Sequence, residues 1–248
     1  MSGHSHWATI RRGKAAVDAK RGRIFSKCAK LIMSAARQGG GDPDSNIRLR
    51  YVIDDARAVN MPRESIERAI LKGTGELEGG QLDEIVYEGY GPGGVALMVQ
   101  VLTDNRNRTT PEIRRVFETT GGSVSRPGSV AWMFEKRGLL SIKRSAVDED
   151  KLLEIVLDAG ADDLRSYDEV YEILCEPGVF NVVRQALTKN NVATETAQVT
   201  YIAKRNVTPS PQEARRALQL MEALEEHDDV QNVSANFEIS AELAAELK

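Results

Sequence analysis

Nine of the first 37 residues are lysine or arginine, and the single acid among them is Asp18. Cations at this density suit phosphate neutralisation, in which each contact releases condensed counterions and makes affinity fall steeply with salt. Arg11, Arg12 and Lys14 cluster near the amino end, and Lys20, Arg23, Lys27 and Lys30 follow at helical spacing. These seven are the candidate nucleic-acid contacts. Trp7 lies beside them and could stack on a base. Arg106, Arg108, Arg114 and Arg115, with Tyr90 in a glycine-rich turn, make a candidate second contact surface. The bland alternative for both sets is a solvated basic helix.

Other chemistry finds less support. Gly89, Gly91 and Gly94 match GxGxxG. A dinucleotide site needs that motif to follow a strand and open a helix. Here it runs from one expected strand into another, so a hairpin turn is the expectation. Acidic groups occur at Asp148–Asp150, Asp162–Asp163 and Glu225–Asp229. Carboxylate pairs can hold Mg²⁺ or move protons, but a helix start and solvation explain them without chemistry. An amino terminus reading Ser-Gly-His after loss of Met1 could take Cu²⁺ or Ni²⁺ adventitiously. No catalytic residues, resident metal or cofactor are expected.

The 248 residues are 41% hydrophobic, 28% charged and 5% aromatic, with formal net charge −4. That is a globular composition with an aliphatic core. The charge is unevenly spread: residues 1–80 hold 15 basic against 9 acidic residues, and the remainder holds 18 against 28. A basic head on an acidic body fits a polyanionic partner for the head. The longest apolar stretch, Val95–Leu102, is too short to span a bilayer. No secretory signal is recognisable, and two cysteines make no disulfide framework. A cytoplasmic protein with no membrane partner is expected.

The elements that must position these residues follow from periodicity. Ile24, Phe25, Cys28, Leu31, Ile32, Ala35 and Ala36 cover an arc of about 140° at helical spacing, with the cations opposite. Further helices are expected over Asp44–Val59 and from Pro62 to Gly73, and Gly73–Gln81 reads as a hinge. The period then changes: strands at Glu84–Glu88, Val95–Leu102 and Val130–Glu135 surround a helix with a capping-box pattern at Thr109 and Glu112. From Gly138 the order is β-α-β-β-α-β, ferredoxin-like. A last helix, Glu213–His227, and a strand through Val233, Ala235, Phe237 and Ile239 are left over. The expected fold is α+β in three domains: a basic helical domain at 1–80, a discontinuous α/β domain at 81–137 and 206–240, and a ferredoxin-like α/β domain inserted at 138–205.

The opening GHSHWATIRRGKAAVDAKRGRIFSK resembles the start of the YebC family. The resemblance continues through GGGDPDSN, YEGYGPGG, DNRNRT, GSVAWMFEKRG and DVQNV, nearly the whole chain. Members typically read GHSKW, where this chain has His6 in place of the lysine. The resemblance implies a helical domain and two α/β domains, one interrupting the other, and no catalytic residues. It implies nucleic-acid binding in gene expression, either as a DNA-binding transcriptional regulator or as a ribosome-associated translation factor on ribosomal RNA. The α/β domains would then contact protein or RNA. Outside that class, the rivals are a Mg²⁺-dependent enzyme acting on nucleic acid and a protein-interaction adaptor.

Overall fold

The computed structural model describes residues 19–167 and 169–238, which form an α+β fold. They divide into two compact units, one from residues up to 130 together with 209–233, the other from 131–208 with the residues after 233.

The first unit begins with three helices: α1 (Ala19–Gly39), α2 (Ile47–Ala58) and α3 (Arg63–Thr74). Ile32, Ala35 and Ala36 of α1 pack with Leu49, Ile53 and Ala56 of α2 and Ile66 and Ala69 of α3. The later part of the apolar face read from the sequence, Ile32, Ala35 and Ala36, is therefore buried, whereas Ile24 at its start is exposed. Asn46 joins two helices at once. Its side-chain oxygen caps α2 through Leu49 N (3.0 Å), and its amide donates to the carbonyls of Ala35 (2.9 Å) and Gly40 (2.8 Å). Gly73 does not close α3, as the sequence led one to expect. The helix runs to Thr74 and ends at Gly75, whose φ of +86° only glycine adopts readily. Gly73 is instead where α3 crosses α1, since a Cβ there would sit 2.6 Å from Met33 O.

The same unit holds a four-stranded sheet in which Ser123–Val124, Asp83–Tyr90, Ala96–Thr103 and Val230–Ala235 lie side by side in that order, the last strand running two residues past the unit's boundary. β1 (Asp83–Tyr90) and β2 (Ala96–Thr103) pair antiparallel, from Asp83 opposite Thr103 to Tyr90 opposite Ala96. The GxGxxG run is their hairpin connection. Gly93 and Gly94 take φ of +72°, and Gly89 makes room for the ring of Phe117. β3 is only Ser123–Val124, on the far edge of β1. α4 (Arg106–Thr119) precedes it, and α7 (Pro211–Glu225) leads into β8 (Val230–Ala235) beside β2. α7 starts at a Ser210–Glu213 capping box. The expected capping box of α4 is displaced: Asn105 is the cap, accepting from Arg108 N at 3.1 Å, and Thr109 is buried inside the helix.

The second unit runs β4 (Phe134–Lys143), α5 (Glu149–Asp158), β5 (Asp163–Ser166), β6 (Val170–Cys175), α6 (Phe180–Lys189) and β7 (Thr196–Ala203). This is the β-α-β-β-α-β order, in a sheet ordered β5-β6-β4-β7. Leu140, Ile142, Tyr171, Ile173 and Cys175 face Leu152, Val156, Val183 and Leu187 of the two helices. The strand expected at Val130–Glu135 is corrected. Ala131–Met133 is one turn of 3-10 helix, and Phe134 and Glu135 belong to β4, paired with Ala203 and Ile202 of β7. The apolar run Val130–Phe134 continues from the turn into β4 without a polar break, so hydrophobic pattern alone does not show where one sheet hands over to the next. No helix among the described residues is long and apolar enough to cross a membrane.

Candidate nucleic-acid interface

Three of the predicted contacts project from α1 onto an acidic segment of the same unit, Glu225–Asp229. Lys27 Nζ donates to the Glu225 carbonyl at 2.6 Å. The Arg23 guanidinium lies 3.7 Å from Glu226 and 3.6 Å from Asp228. Lys30 donates to the Asp228 carbonyl at 3.1 Å and forms an ion pair with the Asp229 carboxylate. The pairs of Arg23 are exposed, where such contacts contribute little. The ion pair of Lys30 with Asp229 is not: the Lys30 side chain is 12% exposed and that of Asp229 only 2%.

Asp229 is a hub. It also accepts from Arg108 at 2.9 Å and from the Thr109 hydroxyl. The Thr109 hydroxyl is 2.7 Å from that of Thr103, which accepts from Asn105 N at 3.0 Å. A relay therefore runs from the cap of α4 to the carboxylate. Burial on its own would raise the carboxyl's pKa. Hydrogen bonds from Lys30, Thr109 and Arg108 overcome that and hold it well below the usual carboxylate range.

Glu112, His227 and Asp229 bring ligand atoms close enough together for a metal ion. The lone pairs of the histidine and the aspartate are already committed. Asp229 N donates to His227 Nδ1 at 3.1 Å, so the ring proton sits on Nε2, which donates to Glu112 at 3.0 Å. The Asp229 oxygens face two cations and a hydroxyl. A carboxylate so surrounded is a structural ion pair, and these residues do not fit a resident metal.

The other predicted contacts are placed differently. Arg11, Arg12 and Lys14 lie outside the described residues, as does the side chain of Lys20. Arg21 and Arg37 on α1 are exposed. Of the second set, Arg106, Arg114 and Arg115 are exposed on α4. Arg108 differs from them, being held by Asp104 (2.9 Å) and Asp229. Tyr90 is half-buried, and its hydroxyl donates to the Ser129 carbonyl at 3.4 Å. It is therefore not the exposed turn residue expected from the sequence.

The acidic runs are likewise absorbed. Asp148 caps α5, Asp162 meets Arg137 at 3.0 Å and Asp163 meets Arg165 at 2.8 Å. Burial pushes the Cys28 thiol up and that of Cys175 up to about 11, so neither is a ready nucleophile. The Asp229 hub is the feature that sequence reasoning missed. Its signal was present in the acidic run at 225–229, complementary in charge to the stripe on α1.

Comparison with known proteins places these residues in context. Residues 5–76 match the domain family described as the TACO1/YebC protein N-terminal domain, and residues 82–237 match the TACO1/YebC second and third domain. A protein of Pelotomaculum thermopropionicum is 53% identical over 241 residues, covering 96% of this chain and 99% of its own. One of Geobacter sulfurreducens is 52% identical over 242 residues, covering 98% of each. Both are named "Probable transcriptional regulatory protein". The crystal structure of a conserved hypothetical protein from Aquifex aeolicus is similar, with TM-score 0.83 and 46% identity over 92% of this chain and 94% of that one.

Proposed function

Because the chain belongs to the TACO1/YebC family, we propose that it is a non-enzymatic, nucleic-acid-binding regulator of gene expression acting in the cytoplasm. The names of its relatives support the regulatory part of this reading. The observation that carries the binding part is the density of cations in residues 1–37, nine against one acid. Arg11, Arg12, Lys14 and Lys20 are the principal phosphate contacts. Arg23, Lys27 and Lys30 add to the same field, which Glu225–Asp229 partly neutralises. Arg106, Arg114 and Arg115 provide a second surface on α4 for RNA or protein. Phosphate contacts of this kind position the protein on its target and carry no sequence information.

The test replaces Arg11, Arg12, Lys14 and Lys20 with glutamine in the full chain and follows binding to duplex DNA and to ribosomal RNA across a salt series. Affinity should fall on both, and the log–log salt slope on duplex should become shallower by about 0.9 per lost phosphate contact. Undiminished binding to both overturns the proposal. Preference for a promoter fragment over random duplex assigns the protein to transcription. Co-sedimentation with ribosomes at moderate salt assigns it to translation.

A further inference from the structure

Trp132 is 67% exposed, the largest value among the exposed large apolar side chains described. It is also the only aromatic residue in the exposed class among the described residues. It lies in the 3-10 turn Ala131–Met133 that feeds β4. A single apolar residue in water is ordinary on a protein surface. Its neighbours make this one unusual.

The Lys204 backbone N–H donates to the Met133 carbonyl at 2.9 Å, which brings the residues after β7 alongside the turn. Lys204 and Arg205 are both exposed there. Lys136, also exposed, stands opposite the half-buried Tyr201 across the β4–β7 pair. No ion pair engages Lys136, Lys204 or Arg205 among the described residues. The adjacent acids are occupied. Glu135 lies on the other face of the strand by alternation, 3.9 Å from Arg137, and Glu238 accepts from Asn206 at 3.0 Å.

We infer that this end of the second unit binds an unpaired stretch of RNA, with a base stacked on Trp132 and flanking phosphates met by Lys136, Lys204 and Arg205. The ligand must offer a flat π face and negative charge to either side of it, which every nucleotide of a strand does and an acidic peptide does only where an aromatic residue is flanked by acids. A duplex hides its base faces inside the stack, whereas RNA loops and ends leave theirs open to aromatic side chains. The inference rests on the nucleic-acid reading above but uses a different surface and a different part of the ligand.

The experiment uses the full chain carrying Trp7→Phe, so that Trp132 is the one remaining tryptophan. Labelled oligouridine is added, and anisotropy and indole fluorescence are read together. Quenching should track binding, and Trp132→Ala should weaken oligouridine binding by about tenfold. Trp132→Phe should restore most of the affinity, and affinity for a duplex DNA of the same length should not move. Binding with no quenching and no effect of Trp132→Ala overturns this inference and leaves the nucleic-acid reading standing. An equal loss on duplex DNA overturns the assignment to unpaired RNA. Absence of binding to either ligand overturns both readings.

Discussion

Asp229 and Glu172 are both enclosed carboxylates, 1% exposed as residues, and the protein treats them in opposite ways. Asp229 is met by Lys30, Arg108 and Thr109, so it keeps its charge. Its pKa is depressed, so it contributes stability above the ordinary carboxylate range, and that contribution disappears as pH falls below about 4. Replacing it with asparagine leaves Lys30 enclosed without its counter-charge. Asp229→Asn should cost about 3 kcal/mol in urea unfolding at pH 7 and flatten the acid limb of the stability profile. A loss well under about 1 kcal/mol would show that the hub is not a structural ion pair.

Glu172 lies near the middle of β6, opposite Ser141 and Arg165, and one of its carboxylate oxygens has no hydrogen-bond partner. Burial raises its pKa to about 7, against the pull of Arg165 and Tyr167. The sign is therefore reversed. Its environment favours the protonated acid, so stability is full below about 4.5 and declines as pH rises to about 7. The Glu172→Gln variant should lose this slope and exceed the parent protein above pH 7, by at most about 3 kcal/mol. Urea midpoints across the neutral range would measure it, and parallel profiles for the two proteins would refute it.

At the scale of elements, Gly73 sets propensity against packing. In an isolated helix, alanine stabilises by about 1 kcal/mol over glycine. In α3 the added methyl would press on Met33 O at 2.6 Å and the Ala36 Cβ at 2.8 Å. Because the obstruction includes backbone, α1 and α3 must separate. Gly73→Ala should destabilise the protein by about 2 kcal/mol in thermal or urea unfolding, and a stabilised variant would mean that the two helices can part without penalty.

The sequence gives such helices away well. The apolar face of α1 is legible because Ile32, Ala35 and Ala36 recur at helical spacing and are buried. The ferredoxin-like order is legible because each strand and helix has its own period and its own Gly or Pro stop. The two-residue β3 is too short to show any period, and the passage from Val130 into β4 has no break for a boundary to rest on. The site was half legible. The cations were plain, but their pairing with Glu225–Asp229 spans about 200 residues of chain and has no local signature.

For the whole molecule, charge segregation matters more than any one pair. The acidic segment lies across part of the basic stripe and competes with any polyanion for Arg23. Glu226→Gln with Asp228→Asn removes that competition while leaving the Asp229 hub intact. Nucleic-acid affinity should rise severalfold at low ionic strength, and the gain should vanish as the Debye length shrinks to about 3 Å near 1 M salt. Titrations at the two salt concentrations decide it. A gain that survives high salt would point to a shape change in place of a field effect.

The order of strands in the first sheet bears on how the chain is made. β2 is buried on both faces and takes β8 as its neighbour, yet β8 leaves the ribosome only after the whole of 131–208 has been synthesised. At roughly 5–20 residues per second, the nascent chain carries an apolar strand with an open hydrogen-bonding edge for several seconds. Such an edge invites pairing with other chains. Synthesis that halts before residue 209 should therefore leave an aggregation-prone fragment that calls on chaperones, although its ferredoxin-like half already has all of its strands.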